Sequence, residues 1–138
     1  MINRLEASTF MLRVVLGISF FVHGLDKFQG GIGNVAGWFD SIGLPGGFAY
    51  VVALVELVGG LAMVLGLGTR IVAAFISLLM VGAIFKVKLA AGFLNGYELD
   101  LAFLAIAVFL AINGSKMLAV DQMISNWKEN RSENNQAV

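Results

Sequence analysis

Cysteine is absent from the chain. That excludes disulfides, thiolate nucleophiles, iron–sulfur clusters and cysteine-ligated zinc. Histidine occurs once, at His23, so one chain cannot supply a bis-histidine haem. Charge is scarce as well: 13% of residues carry one, and nine basic side chains balance nine acidic ones. A net charge of zero offers no electrostatic footprint for nucleic acid. Hydrocarbon fills the chain instead. Hydrophobic residues make up 59% of the 138 positions and mean hydropathy is +0.87. Counting the glycines too, the apolar share is roughly 71%, against about 45–50% in soluble domains. A single small domain cannot hide that much apolar surface from water, so the expected solvent is a lipid bilayer.

The apolar runs are continuous and do not alternate, which favours helices, and the chain is too short for an eight-stranded barrel. Four spanning helices are expected near 8–27, 47–67, 70–91 and 97–114, each close to the roughly 20 residues a bilayer requires. The first lacks the small-residue cleavage pattern of a signal peptide; Phe20, Phe21, Val22 and His23 stand there instead. It is expected to be retained. Between the first two spans, Asn34 can cap a short interfacial helix with Val35, Trp38, Phe39 and Ile42 on its apolar side, ended by Gly43 and Pro45. The expected fold is thus all-α, a four-transmembrane-helix bundle over residues 1–122. A tail over 123–138 comes after it, amphipathic to Trp127 and polar without regular structure beyond. Arg4, Arg13, Arg70, Lys116, Lys128 and Arg131 fall on one side, against Lys27, Lys86 and Lys88 on the other. The positive-inside rule then puts both termini in the cytoplasm of a multi-pass plasma-membrane protein.

Ionisable groups inside a span cost a few kcal/mol each, so they turn inward, pair, or line a polar cavity. Arg13, Gly17, Phe20, Gly24 and Lys27 share one stripe of the first helix, with His23 about 80° from Arg13 on the helical wheel. Glu56 sits near the middle of the second span, with Gly59 and Gly60 after it. Lys86 and Lys88 lie late in the third, and Glu98 and Asp100 begin the fourth. Lys27, Lys86, Glu98 and Asp100 are expected to converge at one depth, and Glu56 to need either Arg13 or Lys27. Each residue has a plainer role beside the functional one. Glu56 can hold helix register, His23 can hydrogen-bond a neighbouring helix, the glycines can serve packing, and Lys86, Lys88, Trp38 and Trp127 can anchor at the interface.

The run Arg13-Val-Val-Leu-Gly17, with His23-Gly24-Leu-Asp-Lys27, resembles the first helix of the DoxX family of small membrane proteins. Trp38-Phe39 with Gly43-Leu44-Pro45 is similar to that family too. Glu56-Leu-Val-Gly59-Gly60, with Leu65-Gly66-Leu67-Gly68-Thr69-Arg70, resembles its second helix and the exit from it. Tyr97-Glu98-Leu99 is similar to the acidic start of its fourth helix, and Asn113-Gly114-Ser115 with Asp121 to its closing glycine and aspartate pattern. The likeness covers roughly 8–122. It implies a four-helix membrane protein and a link to quinone-dependent oxidoreductases, catechol or quinone detoxification and oxidative-stress complexes. More distant relatives are built around redox-active cysteine pairs, which this chain lacks.

The leading expectation is a quinone- or catechol-handling oxidoreductase subunit without an intrinsic cofactor or metal, taking a bound quinone. Its candidate catalytic residues are Glu56, Glu98 and His23, and its candidate binding residues Arg13, Lys27, Lys86 and Trp38. Expected partners are the bilayer, a quinone-like molecule, and a partner subunit or a second copy of the chain. The alternatives are a small-solute or proton permeation protein and a non-catalytic scaffold for a partner enzyme.

Overall fold

The computed structural model describes residues 3–136, and no strand occurs among them. Helix α1 spans Arg4–Gln29, α2 Ile32–Ser41, α3 Gly47–Leu65, α4 Thr69–Ala83, α5 Glu98–Asn113 and α6 Val120–Gln136. After Ala83 the helix of α4 continues through a π-helical turn, Ile84–Lys88, and a tight 3-10 turn to Ala91. Four segments are long and apolar enough to cross a membrane: Arg4–Gln29, Gly47–Leu65, Thr69–Ala91 and Phe93–Asn113. They coincide with the four expected spans.

Two local expectations are corrected. Asn34 does not cap α2; Gly31 precedes the helix, with φ at +93°, and the Asn34 side chain donates back to the Gly30 carbonyl from inside the first turn. The polar stretch after Trp127, expected to lack structure, continues as α6 to Gln136, while residues 137–138 lie outside the described part. The side of α6 carrying Met123 and Trp127 is exposed.

The bundle is built on a close approach of α1 and α3. A Cβ added at Gly17 would stand 2.8 Å from the Gly60 carbonyl oxygen, and one at Gly60 would collide with the Phe21 backbone. Only glycine lets two helix backbones come this near, and in a membrane such contact replaces the hydrophobic force that water would supply. Around this seam Leu16, Met63, Ala73, Ile76, Ala107 and Leu110 are fully buried, and Phe20 meets Phe103 edge-on with ring centroids 5.6 Å apart.

The start of α1, the segment between α5 and α6, and the α3–α4 turn gather at one end of the bundle. Arg13, fully buried, donates to Ser115 Oγ at 3.3 Å and to the Leu118 carbonyl at 3.1 Å. A Glu6 carboxylate oxygen accepts the backbone N–H groups of Lys116 and Met117. Asp121 reaches the start of α4, where its Oδ2 accepts the Gly68 N–H at 2.6 Å. Arg70 sits at this end too, its Nε donating to the Ala111 carbonyl, whereas Lys27, Glu56, Lys86, Lys88 and Asp100 lie toward the opposite end.

Candidate functional site

At that opposite end α1, α3, α4 and α5 draw apart around a cavity of about 570 Å³, with α2 lying across it. This falls within the range of small-molecule sites, roughly 300–1,000 Å³. Its walls are mainly hydrocarbon and aromatic: Phe20 from α1, Trp38 and Phe39 from α2, Phe48 and Val52 from α3, Leu79 from α4 and Phe103 from α5.

The polar lining consists of two ion pairs and two unpaired groups. Lys27 Nζ lies 2.6 Å from Glu56 Oε2, joining α1 to α3, and Lys88 Nζ lies 2.7 Å from Asp100 Oδ2, joining the π turn to α5. Both carboxylates are nearly covered, with side chains 8% and 9% exposed, while the lysines reach in from more open positions. Glu56 lies nine residues into α3, about 13 Å along the helix axis at 1.5 Å per residue. A carboxylate at that depth needs its cation. Lys86 and His23 also line the cavity, both exposed, and among the described residues neither makes a side-chain hydrogen bond or an ion pair.

The π turn carries Lys86, Val87 and Lys88, all of which border the cavity, and such turns recur at functional sites.

Of the residues singled out from sequence, the structure brings together Lys27, Glu56, His23, Lys86 and Trp38. It does not bring in the other two. Glu98 is exposed outside the cavity, where Oε1 accepts the Asn95 N–H and steadies the loop before α5. Arg13 is at the far end of α1, committed to Ser115 and Leu118. Lys27 is therefore the partner of Glu56. Among the described residues His23 makes no bond to a neighbouring helix, contrary to expectation. The Lys88–Asp100 pair lies outside the candidate catalytic and binding residues, although both stand out in the sequence as charges at span ends and Asp100 belongs to the group expected to converge. Only the register of the π turn against α5 shows that they meet. Among the described residues no three acidic or histidine side chains are placed to share a metal ion.

The polarity of the lining sets its chemistry. Ammonium groups and an imidazole can donate to oxygens of a bound molecule, two carboxylates can accept protons, and aromatic walls suit a flat apolar body.

Comparison with known proteins agrees with the architecture. A DoxX family model matches residues 8–89. A Bacillus subtilis protein named "Putative oxidoreductase CatD" is 47% identical over 125 residues, covering 91% of this chain and 92% of its own length. The uncharacterized membrane protein Rv3486 of Mycobacterium tuberculosis is 32% identical, over 86% of this chain and 82% of its own. An uncharacterized Haemophilus influenzae protein is 29% identical, over 80% and 85%. No solved structure matches. With the family model covering more than half of the sequence and relatives aligned over most of their length, this four-helix membrane protein belongs to the DoxX family.

Proposed function

We propose that the chain is a membrane subunit of an oxidoreductase that binds a quinone or catechol in this cavity. The observation that carries the proposal is the cavity's lining, in which a few ionisable groups stand among aromatic and apolar walls. A quinone head is flat and presents two opposed oxygens. Lys86, Lys27 and His23 can donate to such oxygens, and Phe20, Trp38 and Phe39 can cover the ring. Oxidation of a quinol releases two protons with its two electrons. Glu56 and Asp100, each held by one lysine, are the groups positioned to accept protons, and the electrons pass to a redox centre of a partner subunit. Glu98 and Arg13 have no part in this. The name of the Bacillus subtilis relative supports the reaction class.

Orientation belongs to the same proposal. The end bearing Arg4, Arg13, Arg70, Lys116, Lys128 and Arg131 faces the cytoplasm of the plasma membrane, and the cavity faces the outer leaflet. Fully buried Leu16, Met63, Ile76 and Leu110 fill the bundle between the cavity and Arg13. That apolar layer favours a one-ended pocket over a path for ions.

Trp38 reports on the site directly. In a Trp127→Phe variant in lipid nanodiscs, a short-chain benzoquinone should quench Trp38 fluorescence saturably. Purely linear quenching, for the chain alone and for its complex from native membrane, would overturn the proposal.

A further inference from the structure

The cavity's mouth is made of residues that face out of the bundle. Phe48 and Val51 of α3 are 55% and 56% exposed, and Phe75 and Leu78 of α4 are 55% and 70% exposed, yet all four line the cavity. A pocket opening only at the end of the bundle would have buried side walls. This one opens between α3 and α4, onto hydrocarbon once the helices span a bilayer.

The outer face of α4 extends the opening. A shallower depression of about 290 Å³, lined by Arg70, Ile71, Ala74, Phe75 and Leu78, begins at the same two side chains and runs toward Arg70. Gly82 leaves the mouth clear, because it lines the cavity and a Cβ there would meet nothing within 4 Å. The polar lining has its own asymmetry. Three lysines, Lys27, Lys86 and Lys88, share it with two carboxylates, Glu56 and Asp100. Both carboxylates are already paired, so Lys86 is the cation in excess among the described residues.

We infer that the cavity is loaded sideways from the bilayer by a hydrocarbon-tailed quinol, its tail passing between α3 and α4 and its ring oxygen accepting from Lys86. This rests on the quinone reading of the cavity and adds to it a route, a tail and a cationic donor. A water-borne catechol has no tail for the groove that continues along α4. A ring oxygen can accept from the one lysine of the lining that no cavity carboxylate holds, and the tail then points toward mid-membrane, as the lipid tails do.

The test uses the full chain in phosphatidylcholine nanodiscs and a decyl-tailed para-benzoquinol carrying a diazirine at the tail end. Irradiation should label α3 and α4 at or beside Val51, Phe75 and Leu78, and excess unlabelled decyl quinol should compete the label away. Label confined to Trp38 of α2 or to Leu44 in the connection after it overturns the side entry and leaves a quinone site in place. Absence of competable label, where tail-less benzoquinone still quenches Trp38 saturably, also overturns side entry alone. Absence of both signals overturns the quinone reading itself. Lys86→Met should weaken binding of the decyl quinol about tenfold, the scale of one charge-assisted hydrogen bond, with Lys86→Arg restoring it. Equal affinity in all three proteins overturns the role of Lys86. Gly82→Phe should weaken the tailed quinol more than the tail-less one, and equal weakening of both counts against the mouth.

Discussion

Lys27 and Glu56 lie 29 positions apart on different helices, and their charged atoms stand 2.6 Å from each other. The pair is asymmetric: the Glu56 side chain is 8% exposed and that of Lys27 23%. Losing the lysine strands a covered carboxylate, whereas losing the carboxylate leaves a long side chain free to turn toward the interface. Lys27→Met is therefore expected to destabilise the bundle by about 3 kcal/mol and Glu56→Gln by about 1 kcal/mol, with the double variant recovering part of the loss. Reversible unfolding in bicelles measures this. Equal costs for the two single variants would remove the asymmetry.

The α1–α3 seam tolerates no added side chain at its closest point. Gly60→Leu drives a side chain into the backbone of Phe21. The expected loss is more than about 3 kcal/mol, beyond ordinary overpacking because backbone cannot move aside as a side chain can. Gly37→Leu on α2, where a Cβ meets nothing within 4 Å, is the matched control and should leave the melting temperature nearly unchanged.

Asp121 caps a helix that begins more than 50 positions earlier in the chain, through its 2.6 Å bond from the Gly68 N–H. Asp121→Ala should cost about 1 kcal/mol, as for other lost N-caps. Hydrogen exchange at the Gly68 amide should rise with it. Unchanged protection there would show that the cap contributes nothing.

Arg13 holds the segment after α5 against α1 through Ser115 and Leu118, and its Nε has no partner. Arg13→Ala should therefore raise hydrogen exchange over 114–121 while leaving quinone quenching of Trp38 intact. Arg13→Met, which keeps much of the volume and removes the unpartnered polar atom, should disturb the segment less. A loss of quinone binding in Arg13→Met, with the fold retained, would tie this distant residue to the cavity.

Much of this molecule was legible from its residues alone. Hydrocarbon offers no partner for backbone polar groups, so a chain that lives there must fold into long apolar helices, and such runs can be read directly. The four spans and the short helix near Trp38 reflect that constraint. The stripe Arg13, Gly17, Phe20 and Gly24 is buried throughout, because helical period alone puts those residues on one face. Less was legible in the loops, where local competition decides. Gly31, not Asn34, precedes α2, since its positive φ lets the chain turn sharply after α1.

Composition and periodicity thus determined the solvent, the helices and the need of each acid or base inside them for company. Which of them found a partner, and which partner, was left to the tertiary structure. Glu56 could look to Arg13 or Lys27, and the choice fell to the depth at which Gly17 and Gly60 lock α1 against α3. Asp100, and not Glu98, meets a lysine, because the π turn sets the rotation of Lys88 while the loop before α5 holds Glu98 outside. Ion pairs act over a few ångströms and depend on helix rotation and axial offset, which packing fixes and a one-dimensional pattern does not encode.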